Sequence, residues 1–561
     1  MRFQRLVQIP VFLLFLVLLW LAAYPLPSWT DVDIFLRLDP LISLGSMAAA
    51  RAFIPRLAWG LAVVGIALFL GRIFCGYICP MGATADFADW LTRKKKKNGG
   101  DNGYETSGRW RNLKYLFLVG IGGAALIGVS SVFLFSPLSL ITRFYSFVLY
   151  PLALMVSNLF LDTFRPVFPY IGLDSLSFAT FSVPMFDTNL FVACLVVGIL
   201  GLGMIKPRFW CRNLCPAGAI LALFSRKPLV RRRVSDKCTS CSMCLRSCPM
   251  SAIGEDFVTT SHSECIACLK CKEICPVQAI SFNARGGQRR PIPAIDLGRR
   301  GVLSAGAAGV TAAAIAVTNL HHLHDGETPR ALRYSSLIRP PGALPETEFQ
   351  ARCVRCGECM KACLTNTLQP VWLEAGLTGL WTPKITARLA GCEQNCAVCG
   401  HVCPTGAIRP LPLPDKVYAK IGTARIIQSR CIAWEQNKSC LICDEICPYN
   451  AIASRFTPGR TVTVPVIDEN KCNGCGYCES KCPVTGDSAI VVEPTGELRL
   501  AAGTYEKKAR ELGLVFHAKT TVEDQFILKA PPGDVQNPES LSPEAEKKSE
   551  SSLPPGFIIK D

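Results

Sequence analysis

Hydrophobic positions form long unbroken runs in the first two hundred residues of this chain, one more run near residue 310, and only short stretches elsewhere. The runs Val7 to Tyr24, Leu57 to Phe74, Leu113 to Phe135 and Asn189 to Ile205 approach the ~20 residues that a helix needs to cross a bilayer, so four transmembrane helices are predicted. The second holds a charge, Arg72, close enough to its end for the guanidinium to snorkel to water, and the third holds Lys114 beside its start. Basic residues set the orientation: Arg2 and Arg5 precede the first run, Arg93 through Lys97 separate the second and third, and Arg231, Arg232 and Arg233 follow the fourth. By the positive-inside rule all three regions face the cytoplasm. More runs follow the first and no small-residue cleavage pattern does, which argues against a signal peptide. The uncharged stretch Phe144 to Leu161 is also long enough to cross. A crossing there would put Arg231 to Arg233 outside, so it is read as lying at the outer surface or inside the bundle.

The second and fourth runs end alike. Arg72-Ile-Phe-Cys75-Gly-Tyr-Ile-Cys79-Pro80-Met-Gly82-Ala83 matches Arg208-Phe-Trp-Cys211-Arg-Asn-Leu-Cys215-Pro216-Ala-Gly218-Ala219, and Asp39-Pro40-Leu41 upstream echoes Ser136-Pro137-Leu138. A duplicated helical hairpin is therefore expected. Its four thiols, Cys75, Cys79, Cys211 and Cys215, would emerge together at the cytoplasmic face, as a further metal or iron-sulfur site, as inert thiols, or as a reversible disulfide. Cys194 lies alone in mid-span and is expected to pack there.

The other cysteines carry the chemistry. Of the 29 in the chain, 24 form six quartets, and four quartets have the spacing C-x2-C-x2-C-x3-C. Two-residue gaps let three thiolates converge from one short loop on a cubane 4Fe-4S cluster, and in the bacterial ferredoxin pattern the fourth cysteine serves the neighbouring cluster. The first pair of quartets is Cys238, Cys241, Cys244, Cys248 and Cys265, Cys268, Cys271, Cys275, with Cys248 expected at the second cluster and Cys275 at the first. Later come Cys353, Cys356, Cys359, Cys363; Cys392, Cys396, Cys399, Cys403; Cys431, Cys440, Cys443, Cys447; and Cys472, Cys475, Cys478, Cys482. Structural zinc also uses C-x2-C pairs, but it does not explain the ending C-P-x-x-A-I at Cys248, Cys275, Cys403 and Cys447. Six 4Fe-4S clusters are predicted. For the last four quartets, nested cross-ligation is expected, first with last and second with third.

Arg299 and Arg300 precede the weakly hydrophobic run Gly301 to Leu320, which resembles a twin-arginine export signal placed in mid-chain; an ordinary fifth transmembrane helix is the other reading. Either places everything beyond His321 outside the cytoplasm. Export of a folded domain suits clusters that are assembled inside. The predicted architecture is an α-helical membrane domain of four spans, residues 1–225, and a cytoplasmic α+β two-cluster ferredoxin domain, 226–292. A linking anchor, 293–325, a periplasmic four-cluster ferredoxin domain, 326–500, and an appendage with a disordered tail, 501–561, complete it. One ferredoxin domain then stands on each side of a bacterial inner membrane. The formal charge of +17 is accounted for by inward-facing loops such as Lys94 to Lys97, and nucleic acid is not an expected partner.

With these motifs in place, the first 280 residues resemble the membrane subunit of the quinol dehydrogenase of periplasmic nitrate reductase systems (NapH type). Residues from about 295 to 500 resemble that system's exported four-cluster subunit (NapG type), so the chain looks like a fusion of the two. Related membrane domains occur in nitrous-oxide reductase regulators and methylamine-utilisation proteins. The resemblance implies quinol dehydrogenase activity, with electrons passing from the membrane quinone pool to a periplasmic c-type cytochrome or reductase, in a complex with other respiratory subunits. A maturation factor for a periplasmic metalloenzyme, or a relay from a cytoplasmic donor, is the alternative. The chain has no C-x-x-C-H haem site and no G-x-G-x-x-G nucleotide loop. No catalytic residue is identified; Asp39, Arg143, Asp162, Arg165 and Asp174 are the ionisable candidates near the outer segments. His321, His322 and His324 are read as an interfacial polar cluster.

Overall fold

The computed structural model describes residues 3–27, 29–92, 108–283, 297–318, 337–372 and 374–516. Arg93 to Lys97, His321, His322, His324 and the tail lie outside them. Helix α1 (Phe3–Leu21) is apolar from Ile9 onward and, at 19 residues, about 28 Å long. At its start the Phe3 N–H donates to Glu273 Oε1 of the first ferredoxin unit, at 3.3 Å. At its other end the carbonyls of Leu19 and Ala22 accept from Lys361 Nζ of the second unit. Orphan carbonyls at a helix end need donors, and a lysine supplies them. The two ferredoxin units thus sit at opposite ends of one helix.

The duplication is visible in the helices. α2 (Pro40–Ala50), α3 (Ala58–Leu70) and α4 (Pro80–Thr92) correspond to α6 (Pro137–Phe144), α8 (Asn189–Gly201) and α9 (Pro216–Phe224), with α5 (Gly108–Leu126) as the counterpart of α1. α2 and α6 each start inside the bundle at a cap followed by proline, a combination that favours helix initiation. Asp39 accepts from Leu41 N (2.8 Å) and Ile42 N (3.4 Å), and Ser136 Oγ accepts from Ser139 N (3.1 Å). Ser136 Oγ also donates to Asp39 Oδ2 at 2.7 Å, so one buried carboxyl serves the positive ends of two helices that meet start to start.

Among the described residues three helices are long and apolar enough to cross a membrane: Phe3–Leu21, Pro137–Phe164 and Arg299–Val317. The expected second and fourth spans are shorter, Pro55–Leu70 and Asn189–Met204; the second stops at Gly71, whose φ is 75°, and a five-residue π-turn follows each a few residues on, ahead of the second cysteine. The disputed stretch is part of the second long helix, where α6 continues through a π-turn (Tyr145–Leu149) into α7 (Tyr150–Phe164). The chain then returns. Phe147 stacks on Phe186 at 4.4 Å, Asn158 and Phe181 exchange two hydrogen bonds, and Asn366 Nδ2 of the second ferredoxin unit donates to Met185 O at 3.1 Å. This excursion leaves from and comes back to the same end of the bundle. Cys194, expected to pack, lies on the exposed side of α8.

Helix α10 (Arg299–Thr318) lies along α5 with glycines facing glycines. A Cβ at Gly123 would stand 2.7 Å from Gly306 O, and one at Gly309 would overlap the Gly120 backbone, so only hydrogen fits. In the first ferredoxin unit β1 (Arg231–Val234) pairs antiparallel with β2 (Ile280–Asn283). The second unit has three such pairs: β3 (Leu368–Pro370) with β4 (Pro383–Ile385), β5 (Thr423–Ile426) with β8 (Ile490–Glu493), and β6 (Ile452–Arg455) with β7 (Val464–Ile467). The expected appendage packs on it as far as Phe516, whose ring meets Tyr418 and Tyr449 edge-on.

Gly309→Ala should destabilise the detergent-solubilised chain by about 1–3 kcal/mol through the clash, whereas Gly198→Ala, with nothing within 4 Å of the added Cβ, should not. Thermal midpoints of the two variants check this, since both gain the same helix propensity. A second expectation concerns Glu346, clamped by Arg339 (2.6 Å) and Arg499 (2.6 Å). Burial would raise its pKa, but the two guanidiniums overcome that and hold it at about 2. Its contribution is therefore full above the ordinary carboxylate value of 4.5 and is lost as pH falls toward 2. Glu346→Gln should cost about 2 kcal/mol at pH 7 and flatten the stability profile across that window, as acid titration of thermal unfolding will show.

Candidate metal centres

In each quartet of regular spacing, the residues on both sides of the second cysteine have left-handed backbone. These are Ser240 and Ser242 (φ 51° and 56°), Ala267 and Leu269 (50° and 60°), Arg355 and Gly357 (54° and 88°), and Gly474 and Gly476 (85° and 87°). Two left-handed residues three positions apart at most curl the loop around its own cysteine and point three thiols at one centre. The cost is small for glycine and of order 1 kcal/mol for the others. Glycines at 357, 474 and 476 were a legible signal; serine, alanine, leucine and arginine in the same role were not.

The fourth cysteine crosses over. Cys248 lines one cavity with Cys265, Cys268 and Cys271, as the ferredoxin pattern predicts. In the second unit Cys403 stands with Cys353, Cys356 and Cys359, and Cys363 with Cys392, Cys396 and Cys399. Likewise Cys482 joins Cys431, Cys440 and Cys443, and Cys447 joins Cys472, Cys475 and Cys478. The expected nested pairing is thus replaced by pairing of neighbours, first with second and third with fourth. Each pair is joined by a short segment and forms one pseudo-symmetric ferredoxin unit. All the cysteines are free thiols.

The ending C-P-x-x-A-I has a structural reason. The alanine N–H turns back to the cysteine sulfur, Ala252 to Cys248 and Ala451 to Cys447, each at 3.4 Å, and Ile408 donates to Cys403 at 3.5 Å. Donors aimed at sulfur suit thiolates that carry cluster charge. Burial, with neighbouring thiols second, pushes Cys265 and Cys443 up to about 12, so thiolate forms there only with cations beside it. The donor sets fit 4Fe-4S clusters.

The sets of the second unit form a line. Nearest the helices is the Cys353 set, where Ser139 Oγ donates to Val354 O (2.6 Å) and Arg143 Nε to Arg355 O (2.8 Å). Cys399 of the Cys392 set interacts electrostatically with Cys359. Cys392 N donates to Cys475 O at 2.7 Å, which leads to the Cys472 set, and Cys478 neighbours Cys443 of the Cys431 set. That last set is flanked by the exposed side chains of Leu441 and Ile442.

At the opposite end of the helices the C-x3-C-P turns come together. Cys79 N donates to Phe74 O and Cys215 N to Trp210 O, both at 2.9 Å, closing the two π-turns. Proline then starts α4 and α9, and Gly218 N donates to Cys215 Sγ at 3.3 Å. Cys79, Cys75, Cys211 and Cys215 all lie within electrostatic reach of one another. Arg72 was expected to snorkel; it is instead wholly buried, as is Arg208. Arg72 Nη2 reaches Cys211 O (3.5 Å) and Arg208 Nη1 reaches Cys75 O (3.2 Å), so each arginine binds the cysteine turn of the other repeat. Their acids are Glu264 of the first ferredoxin unit (2.8 Å) and Asp86 of α4 (2.7 Å). Sequence reasoning found the arginines as repeat positions and missed both acids. Among the described residues no three His, Cys, Asp or Glu side chains close on a single-ion site. The ferredoxin quartets share that property, because each thiolate of a cubane takes a different iron.

Of the ionisable candidates, Asp39 and Arg143 are buried between the two ends. Asp162 and Arg165 form an exposed pair at 2.9 Å, and Asp174 is exposed. The pairing of neighbours has a direct spectroscopic consequence. Cys403→Ser should alter the same electron paramagnetic resonance signal as Cys356→Ser, and Cys363→Ser the same signal as Cys396→Ser, whereas nested ligation would couple Cys363 to the Cys472 set.

Family models described as 4Fe-4S binding domains match in three forms: Fer4_5 at residues 53–98, 188–235 and 395–411, Fer4 at 258–281 and Fer4_6 at 464–490. The first two Fer4_5 stretches contain the C-x3-C-P pairs. The methylamine utilization ferredoxin-type protein MauM of Methylophilus methylotrophus is 37% identical over 171 residues, 29% of this chain and 74% of that protein. MauM of Paracoccus denitrificans is 37% identical over 163 residues, 28% of this chain and 71% of that protein. The ferredoxin-type protein NapG of Escherichia coli (strain K12) is 34% identical over 175 residues, 30% of this chain and 73% of that protein. With iron-sulfur ligand sets in ferredoxin frames and this degree of identity, the chain belongs to the family of ferredoxin-type electron-transfer proteins that includes MauM and NapG.

Proposed function

We propose that this chain is a membrane-bound quinol dehydrogenase component, a fusion of NapH-type and NapG-type subunits, which takes electrons from membrane quinol and delivers them to a periplasmic c-type cytochrome or reductase. Its N-terminus and first ferredoxin unit are cytoplasmic, and α10 carries the chain to a periplasmic second unit. The observation that carries this reading is the line of four cysteine sets that starts on Ser139 and Arg143 of α6 and ends beside exposed Leu441 and Ile442. Such a line leads from the helical body to a surface where a partner can approach. The six quartets would hold six 4Fe-4S clusters, which supply one-electron steps to a two-electron donor. The protein's own part is to fix their order, to keep water from the buried thiolates, and to aim N–H groups at sulfur. Asp39 is committed to capping two helices, and Arg143 donates to the carbonyls of Arg355 and Phe133.

The test is anaerobic. Menaquinol added to the purified protein in detergent should bleach the visible iron-sulfur band, and a quinone-site inhibitor should block the bleaching, with dithionite defining full reduction. Full bleaching by dithionite with none by menaquinol would reject quinol as the donor.

A further inference from the structure

Two ferredoxin units on opposite ends of a membrane domain pose a distance problem, since electron tunnelling fades exponentially with separation and a hydrocarbon core is ~30 Å thick. The thiols of the C-x3-C-P turns lie where the problem is met. On one side Cys75 packs in the same small core as Met250, Ile266, Cys248, Cys265 and Cys268 of the first unit. Contact there is tight. A Cβ at Gly76 would stand 2.8 Å from Ile266 O, and Tyr77 Oη donates to Ala267 O at 2.8 Å. On the other side Cys215 is within electrostatic reach of Asp39, Asp39 is bonded to Ser136, and one turn along α6 Ser139 holds Val354, the residue between Cys353 and Cys356. Cys79, Cys211, Cys215, Leu138, Val354 and Cys356 belong to one continuous core. A single turn of protein therefore separates the groups that flank the four-thiol site from those of the nearest external set.

We propose that Cys75, Cys79, Cys211 and Cys215 hold a seventh iron-sulfur cluster, and that this centre joins the inner and outer clusters into one conductor through the membrane. The donor set fits. It consists of four thiols, one with a backbone N–H on sulfur, and two buried arginines beside them to balance thiolate charge. Each passage moves one electron and breaks no bond. The set Cys248, Cys265, Cys268, Cys271 is oxidised as the four-thiolate centre is reduced, and that centre is reoxidised as the set Cys353, Cys356, Cys359, Cys403 is reduced. The electron enters at the inner end from a low-potential one-electron reductant, for which dithionite stands in below. The inference shares with the function proposed above the six ferredoxin clusters and the placement of the two units on opposite sides of the membrane, and it requires no quinone.

The experiment uses the full chain in quinone-free vesicles, with dithionite added outside. The wild-type protein should bleach completely before detergent is added, whichever way it is inserted. Bleaching that stops short and finishes only with detergent would overturn the proposal, and this result needs no variant. Cys79→Ser with Cys215→Ser should stop short, and should contain less iron and acid-labile sulfide than the wild type by about one-seventh, the share of one cubane among seven. Equal iron and sulfide in variant and wild type would also overturn it. Failure of menaquinol to bleach the protein in detergent would leave both outcomes unchanged, so the two proposals fail separately.

Discussion

The crossed pair Arg72 and Arg208 is the contact on which the membrane domain depends. Two guanidiniums without exposure to water are costly, and removing either partner of such a pair leaves a buried charge uncompensated. They are tolerated because each meets a carboxylate and the open backbone of the opposite cysteine turn. A π-turn followed by proline leaves carbonyls without helical partners, so the arginines supply donors where the chain cannot. The repeats match in their arginines and differ in their acids. Asp86 comes from the bundle itself, whereas Glu264 comes from the first ferredoxin unit, where Lys114 holds it as well at 2.6 Å. One arginine thus locks repeat to repeat, and the other also locks the ferredoxin unit to both.

The same economy appears at the far side of the bundle. Two helices that begin face to face would repel through their dipoles, and Asp39 resolves this by accepting from one helix start and from the cap of the other. Because α2 and α6 begin inside rather than at the surface, their later turns present polar side chains close to the second ferredoxin unit. Ser139 and Arg143 then bind carbonyls within the loop that carries Cys353 and Cys356. Arg143 stacks on Trp381 at 4.4 Å and Arg355 on Phe133 at 3.6 Å, so apolar rings cover the buried cations. By starting inside the bundle, α2 and α6 bring the second unit inward, although α6 goes on as the first part of the long helix Pro137–Phe164.

Much of this was legible in the sequence, and the losses have physical causes. Quartet spacing survived into the fold because three thiols on one loop are a local property. Cross-ligation did not, since every fourth cysteine carries the same chemistry and only tertiary pairing of neighbours distinguishes Cys403 from Cys482. Apolar runs marked where helices form but not how long they are, and they left out Pro40–Ala50. A glycine cap inside an apolar run does not alter its hydropathy, so Leu57 to Phe74 read as one span where the helix stops at Leu70. Arg72 was misplaced for a related reason. At a run's end a lone arginine fits a snorkelling residue equally well, and only Glu264, almost two hundred residues away, decides otherwise. The glycines at 120 and 123 of α5 form a packing surface because their partner, α10, is another small-residue helix.

Duplication explains why the membrane domain has this form at all. One repeat supplies two thiols with three residues between them and one arginine whose hydrogen bond to a cysteine carbonyl goes to the other repeat. Only a second copy, turned about a pseudo-twofold axis, brings four thiols together and gives each arginine a carbonyl to bind. The departures from symmetry fall where the copies need not match. The excursion through residues 150 to 185 is inserted between α6 and α8, away from the cysteine turns, and it leaves rings exposed, Tyr170 and Phe178 among them. Symmetry is retained where both copies must contribute to one site and lost where each can vary alone, which is the distribution expected if the meeting of the two cysteine turns is what the repeat exists to build.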